Sequence, residues 1–425
     1  MSITKYPTYK AAGLKWLEVI PSHWKVRRLK QFCDVFPSNI DKKSVEGETQ
    51  VRLCNYTDVY YNDLVADSLE FMAATATDEQ IEKFSLKAGD TIITKDSETA
   101  DDIAIAAYVP QDLPGVICGY HLSMVRPKEA VNGAFVKRLF DSIYTKSLMA
   151  VRANGLTRVG LSQYAIDNIE LPLPPKEEQA SITAFLDRET AKIDALIAEQ
   201  KRLVEIFKLK LSSLALSGFQ DEEPNYQRIG RVTRIVSRPV DIKVDEEYEP
   251  LGLFNRGRGI FHKESRRGAD MGDSDFFYVE AGDLVLSGQF AWEGSVAVAD
   301  KSESGCVVSH RYPIIQGDNE NCLTEFLLAL LWTEHGDFVL NQCSRGAAGR
   351  NRPLNLGLLL KEEIALPCLT IQRAIQEEYR KYVGLKNEQA KQTGLALERR
   401  SALISAAVTG QIDVRGLVEV RGSEQ

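Results

Sequence analysis

From Ile182 onward, Leu186, Glu189, Ile193, Leu196, Gln200, Leu203, Phe207, Lys210 and Leu214 recur at alternating spacings of four and three. This is a heptad seam with polar interruptions, and it predicts one helix from Lys176 to Ser217. At 1.5 Å per residue such a helix would be roughly 63 Å long. A weaker grid through Ile371, Ile375, Tyr379, Tyr382, Leu385, Gln389, Gln392, Ala396, Arg399, Leu403 and Ala406 predicts a second. The segment "LPLPPKEEQ" punctuates the first start: Pro174 and Pro175 cannot continue a preceding helix but fit a first turn, where a missing N–H loses nothing. Glu177 and Glu178 then face the positive end of the helix dipole, and Lys208 and Lys210 lie near the negative end. Gly218 and Gly410 stand where left-handed C-caps are expected. A lone helix of this kind would expose its seam, so the two are expected to pack on each other, antiparallel.

Short apolar runs behind turn residues predict strands before each helix. "GDTIITK" and "GDLVLSG" both set a Gly-Asp turn before a strand, and "IAIAAYVP" and "SVAVAD" supply the next one. Gly89–Asp90 with Gly282–Asp283, His121 with His310, Gly155 with Gly346, Leu171–Pro172 with Leu366–Pro367, Gln179 with Gln372, and Gly218 with Gly410 share an offset of about 192 residues. The fold expected is α+β, with a pseudo-twofold internal repeat. Two strand-rich globular domains, 1–173 and 219–368, are separated by two long antiparallel coiled-coil helices, 174–218 and 369–412, with a tail at 413–425. The acidic "QDEEPN" after Gly218 reads as a linker, and the globular domains are expected at opposite ends of a rod.

Composition narrows the class. The chain has 425 residues, 44% hydrophobic and 26% charged, as in soluble globular proteins. No apolar run approaches the roughly 20 residues of a membrane helix, and "MSITKYPTYKAAGLKW" lacks a signal-peptide core, so a cytoplasmic protein without a membrane partner is expected. Seven cysteines without CxxC spacing read as buried thiols, and five scattered histidines give no metal motif. A net charge of −8 argues against nucleic acid until its distribution is considered. Lys5, Lys10, Lys15, Lys25, Arg27, Arg28 and Lys30 crowd the first 31 residues, and Arg256, Arg258, Lys263, Arg266 and Arg267 crowd 252–268. Either run alone reads as solvated surface. The first helix is balanced, with seven basic and seven acidic residues, so it offers no electrostatic track. No GxxxxGK[ST] loop, GxSxG elbow or [DN]PP[YF] tetrapeptide occurs, and the chain is not expected to be an enzyme.

The order "WLEVIPSHWKVRRLK", a Gly-Asp strand, "GLTRVGLSQYAIDNIELPLPPKEEQASI" and a heptad helix ending in "SG", repeated with divergence, resembles the DNA-specificity subunit of Type I restriction-modification systems. In the second copy "LPCLTIQRAI" departs from that pattern, losing the double proline and the acidic pair. The resemblance implies a non-catalytic chain that brings methyltransferase (modification) subunits and restriction motor-nuclease subunits to a bipartite site in double-stranded DNA. Each globular unit would be a target recognition domain reading one half. S-adenosylmethionine, ATP and magnesium would be ligands of the partners, with no cofactor on this chain. Asn and Arg suit bidentate contact with adenine and guanine edges, and Lys and Arg elsewhere hold phosphate. The candidate DNA contacts are Asn55, Thr57, Tyr60 and Tyr61 in the loop "CNYTDVYYND", and Asn255, Arg256 and Arg258 in its counterpart. Lys95, Ser97, Gln289 and Trp292 follow the Gly-Asp strands, and Arg152, Arg158, Arg345, Arg350 and Arg352 lie in the glycine-containing loops. The competing expectation is a coiled-coil scaffold that bridges partners without reading DNA.

Overall fold

The computed structural model describes residues 4–217, 225–346 and 352–417; Gly218 and Arg350 lie outside them. The chain packs as two units, Met1–Ile197 with Thr393–Gln425, and Ala198–Gln392, so each long helix lends part of its length to each unit. Helices and strands are mixed throughout, as expected of an α+β chain.

In the first unit an antiparallel sheet runs in the order Cys33–Pro37, Leu122–Pro127, Thr91–Thr94, Ala106–Tyr108. The second unit repeats it with Thr233–Val236, Ile314–Gly317, Leu284–Leu286, Val296–Val298. Their central strands are buried on both faces, which is why "TIIT" and "LVL" read as continuous apolar runs without alternation. Gly89 and Gly282 turn into those strands at φ +93 and +92, a region that favours glycine. The aspartates that follow are fully buried, and burial of a charge demands a partner. Asp90 is held by Arg126 at 2.7 Å and the Lys87 N–H at 2.9 Å, and Asp283 by Arg238 at 2.7 Å and the Glu280 N–H at 2.8 Å.

The likeness continues. Helical hairpins Gly133–Asp141 with Ile143–Arg152, and Thr324–Leu331 with Glu334–Gln342, cover the sheets. Ser142 and Thr333 cap the second helix of each hairpin by accepting from Thr145 and Gly336 N–H groups. Lys25–Arg28 pairs with Glu170–Leu173, and Asn225–Arg228 with Glu363–Leu366, just before each long helix. The units diverge beyond this frame. The first adds a three-stranded sheet, Val116–Cys118, Thr49–Cys54 and Met72–Ala76, with its own core around Leu53, Ile92 and Ile117. The second instead carries hairpins, including Leu251–Leu253 with Ile260–His262.

The long helices span Lys176–Ser217 and Leu369–Val408. Gln179 and Gln372 are buried at equivalent first turns. Each donates to the carbonyl of a preceding proline, Pro174 or Pro367, at 2.9 Å and accepts a loop N–H, from Asn132 or Leu323. Glu178 does more than face a dipole. It is buried and accepts from Tyr6, from Trp24 Nε1 at 3.1 Å and from His23 at 2.7 Å. At the equivalent position of the second helix stands Ile371, packed against apolar neighbours, so the acidic pair is dispensable there.

In the first unit Ile182, Phe185 and Leu186 share a core with Ile404, Ala407 and Val408. In the second, Val204, Leu211 and Ala215 share one with Ile375 and Tyr382. Within each unit the early part of one helix meets the late part of the other, the order of an antiparallel pair. The expected grid holds at Ile182, Leu186 and Ile193, which are buried, but beyond them every second position shifts by one residue. Ile197, Val204 and Leu211 are buried, whereas Leu196 and Leu203 are 55% and 41% exposed and Lys210 sits at the rim, paired with Glu378 at 2.5 Å. Ile197, Val204 and Leu211 form an uninterrupted apolar series, while the expected line carries Glu189 and Lys210, whose burial would cost more than it returns.

Gly410 ends the second helix at φ +76, where a Cβ would come 2.3 Å from Pro21 Cδ. Six cysteines are buried as expected, but Cys368, which caps the start of the second helix, is exposed. Among the described residues no helix is long and apolar enough to cross a membrane.

Candidate nucleic-acid interface

In the first unit "CNYTDVYYND" is not an open loop. Residues Tyr56–Tyr60 form one turn and a half of helix, stabilised where Asp58 accepts the Asn55 N–H at 2.7 Å. The helix stacks Tyr56 on Tyr60 with ring centroids 5.3 Å apart, and Tyr61 meets Tyr60 edge-on at 5.0 Å. Tyr61 is 76% exposed, and Thr57 is also exposed. Tyr60 donates to Asp102 at 2.8 Å, and that carboxylate pushes its phenol up to about 12. Tyr56 was not among the residues singled out from sequence, although its spacing of four from Tyr60 is the helical signal that places both on one face.

Asp96–Ser97 pairs with Val159–Gly160, which carries Arg158 to the tyrosine cluster. Gly155 shapes the arginine's loop: a Cβ there would lie 1.8 Å from the Arg158 carbonyl oxygen. Ser97 is buried beside Tyr56 and its hydroxyl accepts the Thr99 N–H at 3.5 Å, so it supports the cluster from inside. Lys95 donates to the Ser38 carbonyl at 2.7 Å and lies 4.6 Å from the Tyr120 ring; burial lowers its pKa. His121 and Asp96 are paired at 2.6 Å beside it. Arg152 stands apart, at the end of its helix, bonded to the Leu148 carbonyl.

In the second unit the turn between Leu251–Leu253 and Ile260–His262 carries Asn255, Arg256 and Arg258. It docks on residues 291–295: Glu293 and Gly294 carbonyls accept the Arg256 and Gly257 N–H groups, both at 2.7 Å. Asn255 donates to Glu293 and accepts from Ser295 at 2.7 Å, so its amide is committed to holding the turn. Arg258 lies 5.1 Å from the Phe254 ring. Lys208 of the first long helix donates to the Arg256 carbonyl. The docked turn places Arg256 and Arg258 beside Trp292, and with Asn255, Glu293 and Asp337 they line a recess of about 710 Å³. Arg352 covers Trp292 at 5.0 Å, and Trp292 itself donates to the Gln289 carbonyl at 3.2 Å. Arg345 is exposed on the nearby chain and donates to the Gln342 carbonyl.

One electrostatic property joins these scattered positions. Arg126, Arg138, Arg238 and Arg400 are all ion-paired, yet among the described residues none of Arg152, Arg158, Arg256, Arg258, Arg345 and Arg352 forms an ion pair. Among the described residues the Arg256 guanidinium makes no hydrogen bond. Cations left without internal carboxylates, beside stacked or exposed aromatic rings, are suited to phosphate and base edges.

Comparison with known proteins points to one family. A family model described as "Type I restriction modification DNA specificity domain" matches residues 21–206. These residues, somewhat under half of the chain, are similar to a Type I specificity domain. Two curated relatives, both from Methanocaldococcus jannaschii, agree. The putative type I restriction enzyme MjaX specificity subunit is 22% identical over 47% of this chain and 46% of its own length. The type I restriction enzyme MjaVIII specificity subunit is 24% identical over 47% of each. The chain thus spans about half the length of the curated relatives it matches. A solved chain from a study of complex assembly and conformational transition in the type I R-M system shares the fold, with a TM-score of 0.58 at 18% identity. That likeness covers 92% of this chain and 99% of the other. The matched region ends inside the first long helix, and the repeated sheet order carries the same frame into the second unit.

Proposed function

We propose that this chain is the sequence-reading component of a Type I restriction-modification complex. Each globular unit contacts one half of a bipartite site in double-stranded DNA, through Tyr60, Tyr61, Lys95 and Arg158 in the first and Arg256, Arg258, Trp292, Arg345 and Arg352 in the second. Arg350 extends the second set. Asn55, Ser97 and Asn255 hold their loops in position, and Thr57, Gln289 and Arg152 flank them. The long helices dock methyltransferase and restriction motor-nuclease subunits, which bring S-adenosylmethionine, ATP and magnesium; the chain itself is non-catalytic and acts in the cytoplasm.

The observation that carries this reading is the duplicated frame whose candidate arginines, among the described residues, have no carboxylate partner in either unit. A scaffold that never meets DNA has no use for such cations beside aromatic rings in both copies. Each unit's loops differ, which suits two different half-sites read by one chain. The test is single-molecule methylome sequencing of cells co-expressing the chain with its methyltransferase partner. A split motif with adenine methylated in both halves is expected; a continuous motif, or none, overturns the proposal.

A further inference from the structure

Strand pairing brings three unlike side chains together at the base of the hairpin that bears Arg256. Glu249 immediately precedes that hairpin, and His262 ends it, opposite Leu251. Cys306 arrives from a distant segment because the Glu249 carbonyl accepts the Val307 N–H at 3.0 Å. One ligand atom from each of Glu249, His262 and Cys306 lies within 4.8 Å of the other two. Glu249 Oε1 is 2.6 Å from His262 Nδ1, and Glu249 Oε2 is 3.8 Å from Cys306 Sγ. On the far side of the ring His262 Nε2 faces Glu303 Oε1 at 3.3 Å. Glu303 is itself fixed by the Asp300 N–H at 2.7 Å and the Ser302 hydroxyl at 2.9 Å.

We infer that Glu249, His262 and Cys306 form a binding site for a zinc-class divalent cation that ties the recognition hairpin to the strand after Cys306. Thiolate, imidazole and carboxylate together are the donor set of zinc, and they disfavour magnesium and calcium, which take oxygen alone. Bond lengths near 2.0–2.3 Å place tetrahedral ligands roughly 3.3–3.6 Å apart. The Glu249–His262 contact at 2.6 Å would therefore open and the widest gap close, each by about an ångström or less, and the half-exposed Glu249 carboxylate can rotate to allow both. His262 Nδ1 would ligate, while Nε2–H donates to Glu303, the outer carboxylate that commonly orients a ligating imidazole. The ion takes the place of the protons on Nδ1 and on the thiol, which leave to solvent, and water fills the fourth position. Partial exposure of Glu249 and His262 leaves an entry path, whereas the buried sulfur is shielded from oxidation.

The test uses the full chain, stripped with chelator and titrated with Co²⁺, and involves no DNA, so it is independent of the reading above. One equivalent should bind with a thiolate-to-cobalt absorption in the near ultraviolet, displaced by Zn²⁺. Cys306→Ser and His262→Ala should abolish the band, and Cys368→Ser, which removes the exposed thiol, should leave it intact. Glu303→Gln should retain the band but weaken binding by about 10–100-fold. This variant keeps the test decisive if the core substitutions disturb folding. Absence of the band, its survival in Cys306→Ser, or unchanged affinity in Glu303→Gln would overturn the inference.

Discussion

An arginine gains or loses a role through what else claims its guanidinium. Arg126 and Arg238 are spent on the buried Asp90 and Asp283, where removal would strand a carboxylate in the core. Among the described residues nothing claims the guanidinium of Arg256. Its backbone is locked to Glu293 at φ +60, so the loop is pre-arranged while the side chain stays available. Arg256→Ala should therefore leave thermal stability almost unchanged and weaken binding to the cognate site by about 1–3 kcal/mol if it reads a base edge. In that event discrimination at one base pair of one half-site should relax. A phosphate contact would instead weaken all sequences alike and reduce the salt slope by about one. Binding measured across a salt series on cognate and substituted duplexes separates the two. Wild-type affinity and selectivity in the variant would remove Arg256 from the interface. Asn255 predicts the opposite profile: its amide bonds Glu293 and Ser295, so losing it should disturb the loop itself.

At the scale of elements, the long helices test how far a periodic pattern specifies packing. Their existence, starts and ends were legible because those signals are local: Pro174 and Pro175, the Gln179 and Gln372 turns, and Gly410. The phase was not. A grid of fours and threes has a neighbouring solution one residue away, and Leu196 and Leu203 are as apolar as Ile197 and Val204. The choice falls to the partner surface around Ile375 and Tyr382, which no local window contains. Leu211→Ala should thus cost about 2–5 kcal/mol through the cavity it leaves. Leu209→Ala, two residues away and 66% exposed, should change stability by no more than about 0.5 kcal/mol. Denaturant unfolding of both variants checks this, and a reversed order would mean the helix presents a different face. The candidate site was legible to a similar depth. Residue type and turn position single out Arg256, Arg258 and Trp292, which line one recess, but only strand register puts Ser97 inside, and only the pairing of Pro250 with Val307 brings Cys306 to His262.

At the scale of the whole molecule, the two units are similar in frame yet not separable by a single cut. The core of the first contains Trp24, Leu29 and Phe135 together with Ile404, Ala407 and Val408 from the far end of the chain. Thr4 pairs with Asp413, and Gly410 lies against Pro21 and Trp24 so closely that any side chain would collide. An exchange of residues 1–173 for those of another family member therefore succeeds only if Pro21, Trp24 and the contacts to the returning helix are kept. If they are kept, co-expression with the methyltransferase should yield a motif altered in one half and unchanged in the other, because Arg256, Arg258 and Trp292 belong wholly to the second unit. Alteration of both halves would mean that the units do not read independently, and alteration of neither would locate recognition outside the exchanged residues. An insoluble exchange restored by reinstating Pro21 and Trp24 would assign the failure to the shared core and leave the division of reading to be scored in the repaired chain.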